Sequence, residues 1–131
     1  MRFGMKYLLD TNIAILFLNK DPDIVRKIYN KFNISISTIT IGELHYGFSI
    51  SKYRESNLLA LSNFLEDIDI LSIDHSVAYR YSSILVKLKT LGKPIPSNDV
   101  WIAAVAQEHK LILVTRDKHF LDLDFIDTEY W

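Results

Sequence analysis

Two short, wholly apolar runs far apart in the chain constrain its fold more than any other feature. The first is YLL at residues 7–9, and the second is LILV at residues 111–114. Parallel strands that are buried on both faces are continuously apolar, whereas strands with one face in water alternate apolar and polar residues. Helical patterns alternate with strand patterns between the two runs. We therefore predict an α/β fold of three layers, α/β/α, with a central and mostly parallel sheet.

The predicted elements follow from spacing and from helix boundary signals. At 131 residues the chain is expected to form a single domain spanning residues 1–131. A helix is predicted to start at Asp21-Pro22 and to continue to Phe32, and Gly92 is predicted to end the longest helix. The predicted strands are residues 6–9, 33–37, 68–73, 111–115 and a short one near 124–126. The predicted helices are residues 11–18, 22–32, 40–48, 54–67, 75–91 and 99–109.

The composition excludes several classes of protein. The chain has no cysteine, so it forms no disulfide and uses no thiolate, which fits a reducing cytoplasm. The apolar run after Asp10 is too short to span a membrane, and Asp10 itself interrupts what could be a signal peptide. Met5 would serve equally well as the start of translation. A net charge of −1 argues against a large nonspecific nucleic-acid surface, but it allows a local basic rim around an acidic pocket.

Four acidic residues lie at the ends of predicted strands or the starts of predicted helices. Asp10 ends the first strand, and Asp117 lies just past the strand LILVT. Asp99 starts the apolar helix DVWIAAVA, and Glu43 lies in the first turn of TIGELHYG. In an open α/β sheet, ligands bind beyond the carboxyl ends of the strands. We therefore expect these acids to converge at one edge of the sheet.

Each acid alone also has a purely structural explanation. Asp10 and Asp117 match helix N-caps, and Asp99 matches a first-turn acid favoured by the helix dipole. Thr40 and Glu43 match a capping box. For the set this explanation is weaker, because three of the four acids adjoin strongly apolar runs where an uncompensated charge is costly. Clustered carboxylates repel one another unless a cation lies among them, and oxygen ligands favour Mg²⁺ or Mn²⁺.

Four motifs, taken in order, resemble the PIN domain of the VapC toxin type. They are LLDTN, STITIGELHYG, NDVWIAAVA and TRDKHF, followed by a terminal EYW, and they cover essentially the whole chain. The resemblance implies the PIN-like form of the three-layer fold and a metal-dependent endoribonuclease activity. Such proteins are usually the toxin half of a toxin–antitoxin pair. The catalytic residues that the resemblance implies are Asp10, Glu43, Asp99 and Asp117.

The resemblance also implies the metal ligands and their neighbours. Asp10, Asp99 and Asp117 would bind Mg²⁺, or Mn²⁺ in its place. Thr115 resembles a hydroxyl residue that helps to hold the metal site or its water. Asn12 resembles a polar neighbour of the first acid, although a helix first-turn asparagine explains it equally well. Two basic residues flank Asp117 and either bind substrate phosphate or are solvated charges: Arg116 and Lys118.

The sequence offers no Ser-His-Asp or Cys-His arrangement, so a metal-activated water is the simplest nucleophile left. One ion or two would serve, and the resemblance implies products with 5′-phosphate and 3′-hydroxyl ends. Single-stranded or loop RNA is the expected substrate, because paired RNA hides its base edges in a deep groove. The resemblance also implies a homodimer and an antitoxin whose tail often places an arginine among the acids.

Two other functions are compatible with the same pattern. The first is a PIN nuclease that processes RNA without an antitoxin, which the small size and the lack of an appended RNA-binding domain disfavour. The second is a noncatalytic module whose acids cap helices or bind Mg²⁺ for regulation, as receiver domains do. A receiver needs paired acids near its first strand, whereas this strand ends in a lone Asp10.

Overall fold

The protein is described by a computed structural model that covers residues 4–31 and 33–131. The strands are β1 (Tyr7–Leu9), β2 (Ile34–Ser37), β3 (Asp69–Leu71), β4 (Ile112–Val114) and β5 (Thr128–Glu129). The helices are α1 (Thr11–Leu18), α2 (Pro22–Tyr29), α3 (Thr38–Ser49), α4 (Arg54–Leu65), α5 (His75–Leu91), α6 (Ser97–Glu108) and α7 (Lys118–Leu121). The strands form one sheet in the order β3-β2-β1-β4-β5, and these four pairings are all parallel. The predicted α/β fold with a central parallel sheet is confirmed.

The alternation of side chains along β1 divides the core into two parts. Leu8 lies in an apolar core that also contains buried residues of α5 and α6. Tyr7 and Leu9 lie in a second core, with buried residues of α1, α2 and α4. Leu8 and Leu9 are both fully buried, because successive strand residues point to opposite faces of the sheet and helices cover both. The sheet is therefore the middle layer of three.

Several predicted boundaries agree with the structure. Asp21 is the N-cap of α2, and its Oδ1 accepts hydrogen bonds from the backbone N–H groups of Asp23 and Ile24 at 3.1 Å each. Gly92 ends α5 with a left-handed φ of 65°, a conformation that glycine adopts without steric cost. Helix α2 ends at Tyr29, so its predicted continuation is wrong for residues 30–31, while Phe32 lies outside the described part of the chain.

The predicted start of α3 is wrong. The helix begins at Thr38 because Ser37 is its N-cap, with Ser37 Oγ accepting a hydrogen bond from the backbone N–H of Thr40 at 3.2 Å. Thr40 is therefore the third helical residue and is fully buried. Glu43 lies in the second turn, not the first, so Thr40 and Glu43 form no capping box. Glu43 therefore does not cap the N-terminus of its own helix, and its side chain instead contacts Thr11 of α1.

The ends of α6 and of the sheet also differ from the predictions. Helix α6 begins at Ser97, two residues before Asp99, because Pro96 is its N-cap and has the fixed φ that suits a helix start. Residues 124–126 form no strand; the last strand, β5, lies at Thr128–Glu129 and pairs with β4. In the described part of the chain, no helix has both the length and the apolar character needed to cross a membrane.

Candidate active site

The candidate site lies at the carboxyl edge of the sheet, where three adjacent strands end. Asp10 follows β1, Ser37 ends β2 and Thr115 follows β4, and these strands are neighbours in the order β2-β1-β4. The backbone N–H of Asp10 donates to the Val114 carbonyl at 3.1 Å, which continues the pairing of β1 with β4 by one residue. The short buried strands therefore fix where Asp10 and Thr115 leave the sheet.

Asp10 is held on both of its carboxylate oxygens. Its Oδ1 accepts a hydrogen bond of 2.8 Å from the backbone N–H of Ile13, which makes it the N-cap of α1. Its Oδ2 accepts one of 2.5 Å from the Thr115 hydroxyl. Asp10 is only 4% exposed. The capping explanation is thus correct, and it does not compete with a role at the site, since one oxygen caps the helix and the other faces a second strand.

Thr115 joins Asp10 to a second acid. Its hydroxyl donates to Asp10 and accepts a hydrogen bond of 3.0 Å from the backbone N–H of Asp117. Asp117 is itself the N-cap of the short helix α7, and its Oδ1 lies 2.9 Å from both the backbone nitrogen and the Nδ1 of His119. The fully buried Thr115 therefore fixes the separation of the two aspartates.

Glu43 reaches the site from α3 through a row of hydroxyl groups. Thr11 Oγ1 donates to Glu43 Oε1 at 2.7 Å and lies 3.1 Å from Thr40 Oγ1. Because the single hydrogen of Thr11 goes to Glu43, the Thr40 hydroxyl donates to Thr11. The Ser37 hydroxyl, 3.4 Å from Thr40 Oγ1, donates in turn. Each hydroxyl in this row donates to the next one, and the last donates to Glu43. The row therefore orients the Glu43 carboxylate through hydroxyl groups that lie largely inside the fold.

The pKa of Asp99 shows that the four acids share one region. Burial is the largest cause that raises this pKa, from 3.8 to about 6. The next causes are the negative charges of Asp117, Glu43 and Asp10, in that order. His119 acts in the opposite direction and lowers the pKa. Asp99, in the first turn of α6, therefore lies within electrostatic range of the three other carboxylates.

Asp10 shows the same repulsion from its buried position. Burial is again the largest cause and raises its pKa. The hydrogen bonds from Thr115 and Ile13 lower the pKa because they stabilise the ionised form, while the charges of Asp117 and Glu43 raise it further. The fold thus brings together the four acids that the sequence singled out, at a cost in electrostatic repulsion.

The other predicted residues are not all part of this cluster. Asn12 is exposed in the first turn of α1, and Lys118 is exposed at the start of α7. Arg116 Nε donates to the Trp131 backbone oxygen at 2.6 Å, and its guanidinium lies 5.4 Å from the centre of the Tyr130 ring. These contacts are with the segment after β5.

Apart from Thr115, which the resemblance implied, sequence reasoning missed the residues that support the acids. The contacts of Thr11 with Glu43 and of Thr115 with Asp10 join positions 32 and 105 residues apart, so no local pattern reports them. Ser37 and Thr40 did carry a signal, since Ser at an N-cap binds the backbone N–H three residues later. His119 had none, because its contact with Asp117 depends on the turn into α7.

The residues of the cluster fit a hard divalent cation in chemistry. They offer carboxylate oxygens, the ligands that Mg²⁺ and Mn²⁺ prefer, and burial together with the charges of the neighbouring acids raises the pKa values of Asp10 and Asp99. In the described parts of the chain, no three acid or imidazole side chains converge closely enough to hold one ion. Oxygens of Asp10, Asp117 and Glu43 instead accept hydrogen bonds from backbone N–H groups at helix starts and from hydroxyl groups.

The chain resembles known proteins over nearly its whole length. The PIN domain family model matches residues 7–126. Ribonuclease VapC2 of Haemophilus influenzae is 35% identical, over 97% of this chain and 98% of that protein. The tRNA(fMet)-specific endonuclease VapC of Shigella flexneri is 34% identical over the same shares. The crystal structure of VapBC2 from Rickettsia felis, bound to a DNA fragment from its promoter, superposes with a TM-score of 0.90 at 34% identity, covering 97% of this chain and 99% of that one.

Proposed function

Since the chain belongs to the PIN domain family, and within it to the VapC ribonucleases, we propose that it is the metal-dependent endoribonuclease toxin of a toxin–antitoxin pair. It hydrolyses phosphodiester bonds in single-stranded or loop RNA. The observation that carries this proposal is the convergence of four carboxylates from four different elements, expressed in the pKa of Asp99, which three other acids help to raise to about 6. Helix capping alone does not require four carboxylates to lie in one region, where they repel one another.

The proposed roles follow from how each side chain is held. Asp10, Asp99 and Asp117 would bind Mg²⁺ or Mn²⁺, with Thr115 keeping Asp10 and Asp117 in register. Thr11 engages Oε1 of Glu43, so Oε2 can accept a hydrogen bond from the attacking water. When bound, the cation lowers the pKa of water and offsets charge on the scissile phosphate.

The same charges determine how the site meets its substrate. Without a cation, the four carboxylates repel the phosphate of an approaching RNA, so the free site is closed to substrate by electrostatics. Burial of Asp10 at 4% exposure strengthens this effect, because water screens a buried charge poorly. Attack of water on the phosphorus with the 3′ oxygen as leaving group, which takes up a proton, would leave 5′-phosphate and 3′-hydroxyl ends.

The antitoxin partner is proposed from the same pocket and from the structural relatives. The Rickettsia felis and Salmonella typhimurium structures that resemble this chain are VapBC complexes. A cationic side chain of such a partner, entering among the acids, would gain a charge-assisted hydrogen bond and exclude both the metal and the substrate.

A homodimer is proposed from the surface of α5. The apolar residues of α6 are used inside the fold, since Val100, Ile102 and Val105 are buried. Helix α5 instead leaves Tyr79 68% and Val86 64% exposed, two helical turns apart and so on one face. A two-fold pairing of this face is the default way to cover it.

The test of the nuclease is a comparison of purified wild type, Asp10→Asn and Asp74→Asn on a structured RNA. Asp74 is the matched control, because it is also an N-cap aspartate, accepting from the backbone N–H of Val77 at 2.9 Å, but it lies at α5. Asparagine caps a helix as well as aspartate does, so both variants keep their caps.

Wild type and Asp74→Asn should cleave loops with Mg²⁺ or Mn²⁺ and stop in EDTA, whereas Asp10→Asn should not cleave. The wild type should arrest growth when expressed alone, and co-expression of its partner should restore growth. An identical cleavage pattern from wild type and Asp10→Asn would assign the activity to a contaminant and refute the proposal.

A further inference from the structure

A groove beside the acidic site concentrates positive charge in a chain whose net charge is −1. It runs between α2 and the segment after β5 and encloses about 610 Å³. We call it the basic groove and define it by the residues that carry its chemistry: Arg26, Lys27, Lys31, Arg116 and Tyr130. Asp23 is the one carboxylate side chain that lines it within the described residues. Four cationic side chains against one acidic side chain favour an anionic ligand.

Three of the four cations of the basic groove make a contact with a neighbouring residue. Arg116 is fixed by its 2.6 Å hydrogen bond to the Trp131 carbonyl and by the Tyr130 ring. The Lys31 ammonium lies 5.2 Å from the centre of the Tyr7 ring. Arg26 is paired with Asp23 at 2.8 Å, and both side chains of that pair are well exposed. An exposed pair of this kind is weak and exchanges readily for a stronger anion.

The groove adjoins the acids through one pair of neighbouring residues. Arg116, which lines the groove, directly precedes Asp117, and both follow the strand β4 that ends in Val114 at the carboxyl edge of the sheet. Tyr130, 62% exposed and next to the Arg116 guanidinium, adds a flat aromatic surface at the same place.

We propose that the basic groove binds the phosphate backbone of the single-stranded RNA on one side of the scissile bond, and that Tyr130 stacks on one of its bases. This inference rests on the proposed function. Single-stranded nucleic acid is bound by cations that follow the backbone together with aromatic rings that stack on unpaired bases, and the groove offers both. A base pair has no free face for Tyr130, so the groove selects unpaired RNA. The four carboxylates repel the phosphates of RNA. The positive charge of the basic groove, beside these acids, would attract the same strand and so offset that repulsion.

The test measures binding separately from cleavage. Asp10→Asn protein in EDTA is titrated into a fluorescent single-stranded RNA of about 12 nucleotides, a length within the range that single-stranded sites span, and anisotropy gives Kd at several salt concentrations. The groove variant adds Lys27→Gln and Lys31→Gln. The control variant adds Lys89→Gln and Lys93→Gln, which remove the same charge from the end of α5, in the other helical layer. Each phosphate that the protein no longer neutralises should reduce the slope of log K against log[salt] by about 0.7.

The groove variant should therefore bind more weakly than the control variant, with a salt slope smaller by about 1.4, since two lysines no longer neutralise phosphates. Tyr130→Ala should weaken binding about tenfold, and Tyr130→Phe, which keeps the ring, should bind like the parent. Equal affinities and slopes for the groove and control variants would overturn the proposal. So would a groove that binds an acidic peptide but contributes nothing to RNA affinity, since its ligand would then be a protein segment.

These outcomes are distinct from failure of the proposed function. If wild-type protein cleaves RNA with Mg²⁺ while the groove variant binds RNA like the control variant, the nuclease stands and the groove assignment fails. The same lysine substitutions made in the otherwise wild-type chain should then leave the cleavage rate unchanged. If wild type cleaves nothing but RNA binding still depends on Lys27, Lys31 and Tyr130, the groove stands as an RNA site and the nuclease assignment fails.

Discussion

Replacing Asp99 by asparagine should stabilise the metal-free protein at neutral pH, although it removes a charge from a site that four elements build. The folded state raises the pKa of this carboxyl from 3.8 to about 6. Between these values the folded chain holds a proton that the unfolded chain has released. The contribution of Asp99 to stability is therefore most favourable below pH 3.8 and is lost as the pH rises through 6. At a pH of about 7.5, well above both values, the ionised Asp99 opposes folding.

The size of the effect follows from that shift. One pKa unit corresponds to about 1.4 kcal/mol, so the full rise amounts to roughly 3 kcal/mol. Asp99 is half-buried, and solvent screening reduces this to about 1.5 kcal/mol. The asparagine also loses the attraction of a first-turn carboxylate to the helix dipole, about 0.5 kcal/mol. The net gain is about 1 kcal/mol, or an increase in Tm of roughly 4 °C for a chain of this size.

The assay is thermal unfolding by circular dichroism in EDTA, at about pH 7.5 and about pH 4.5, on wild type, Asp99→Asn and Glu55→Gln. Glu55 is the matched control because it is an exposed first-turn acid of α4. The control should lose a little stability or none. The advantage of Asp99→Asn should shrink at the lower pH, where the folded wild type already holds the proton. An Asp99→Asn protein no more stable than wild type at the higher pH, or an advantage that grows as the pH falls, would refute the reasoning.

Three further predictions test the metal, the buried hydroxyl and the surface of α5. Mg²⁺ at about 100 times its Kd should add about 2.7 kcal/mol to the stability of wild type, and Asp10→Asn should lose most of the corresponding rise in Tm; equal rises in both would contradict a shared metal pocket. Thr115→Val should cost about 2 kcal/mol in urea unfolding, because a buried carboxylate loses its donor, whereas Thr115→Ser should cost clearly less. Wild type should have the mass of a dimer by light scattering at tens of micromolar, a range chosen for a moderate dimer, and Val86→Glu should shift it to a monomer; a monomeric wild type would exclude the pairing.

The sequence predicts the parts of this fold that local chemistry determines. The apolar runs at β1 and β4 and the glycine that ends α5 each carry their own signal. Strand β5 carries none, because Thr128 and Glu129 are half-buried and owe their extended form to pairing with Leu113 and Val114. The predicted start of α3 is wrong because two capping patterns overlap there, and burial of Thr40 decides between them.

The candidate site divides in the same way. Its four acids are predictable because an acidic residue beside a strongly apolar run is unusual and can be recognised from the sequence alone. The resemblance points to Thr115, but the hydroxyl groups of Thr11 and Thr40 are not predictable, because a threonine in a helix is ordinary until tertiary structure places an acid opposite it. The contacts of Thr11 with Glu43 and of Thr115 with Asp10 depend on the order β2-β1-β4, which brings distant segments side by side.

The division of β1 between two cores makes this strand intolerant of changes in length. Tyr7 and Leu9 point to one helical layer and Leu8 to the other, with Asp10 directly after them. Deleting or inserting one residue here would exchange the two leucines between layers of different shape, and it would carry Asp10 about 3.3 Å along the sheet and to its opposite face. Leucine can be replaced by another apolar residue at modest cost. The spacing cannot change in this way, so in related sequences the number of residues between the start of β1 and the aspartate should vary less than the residues themselves.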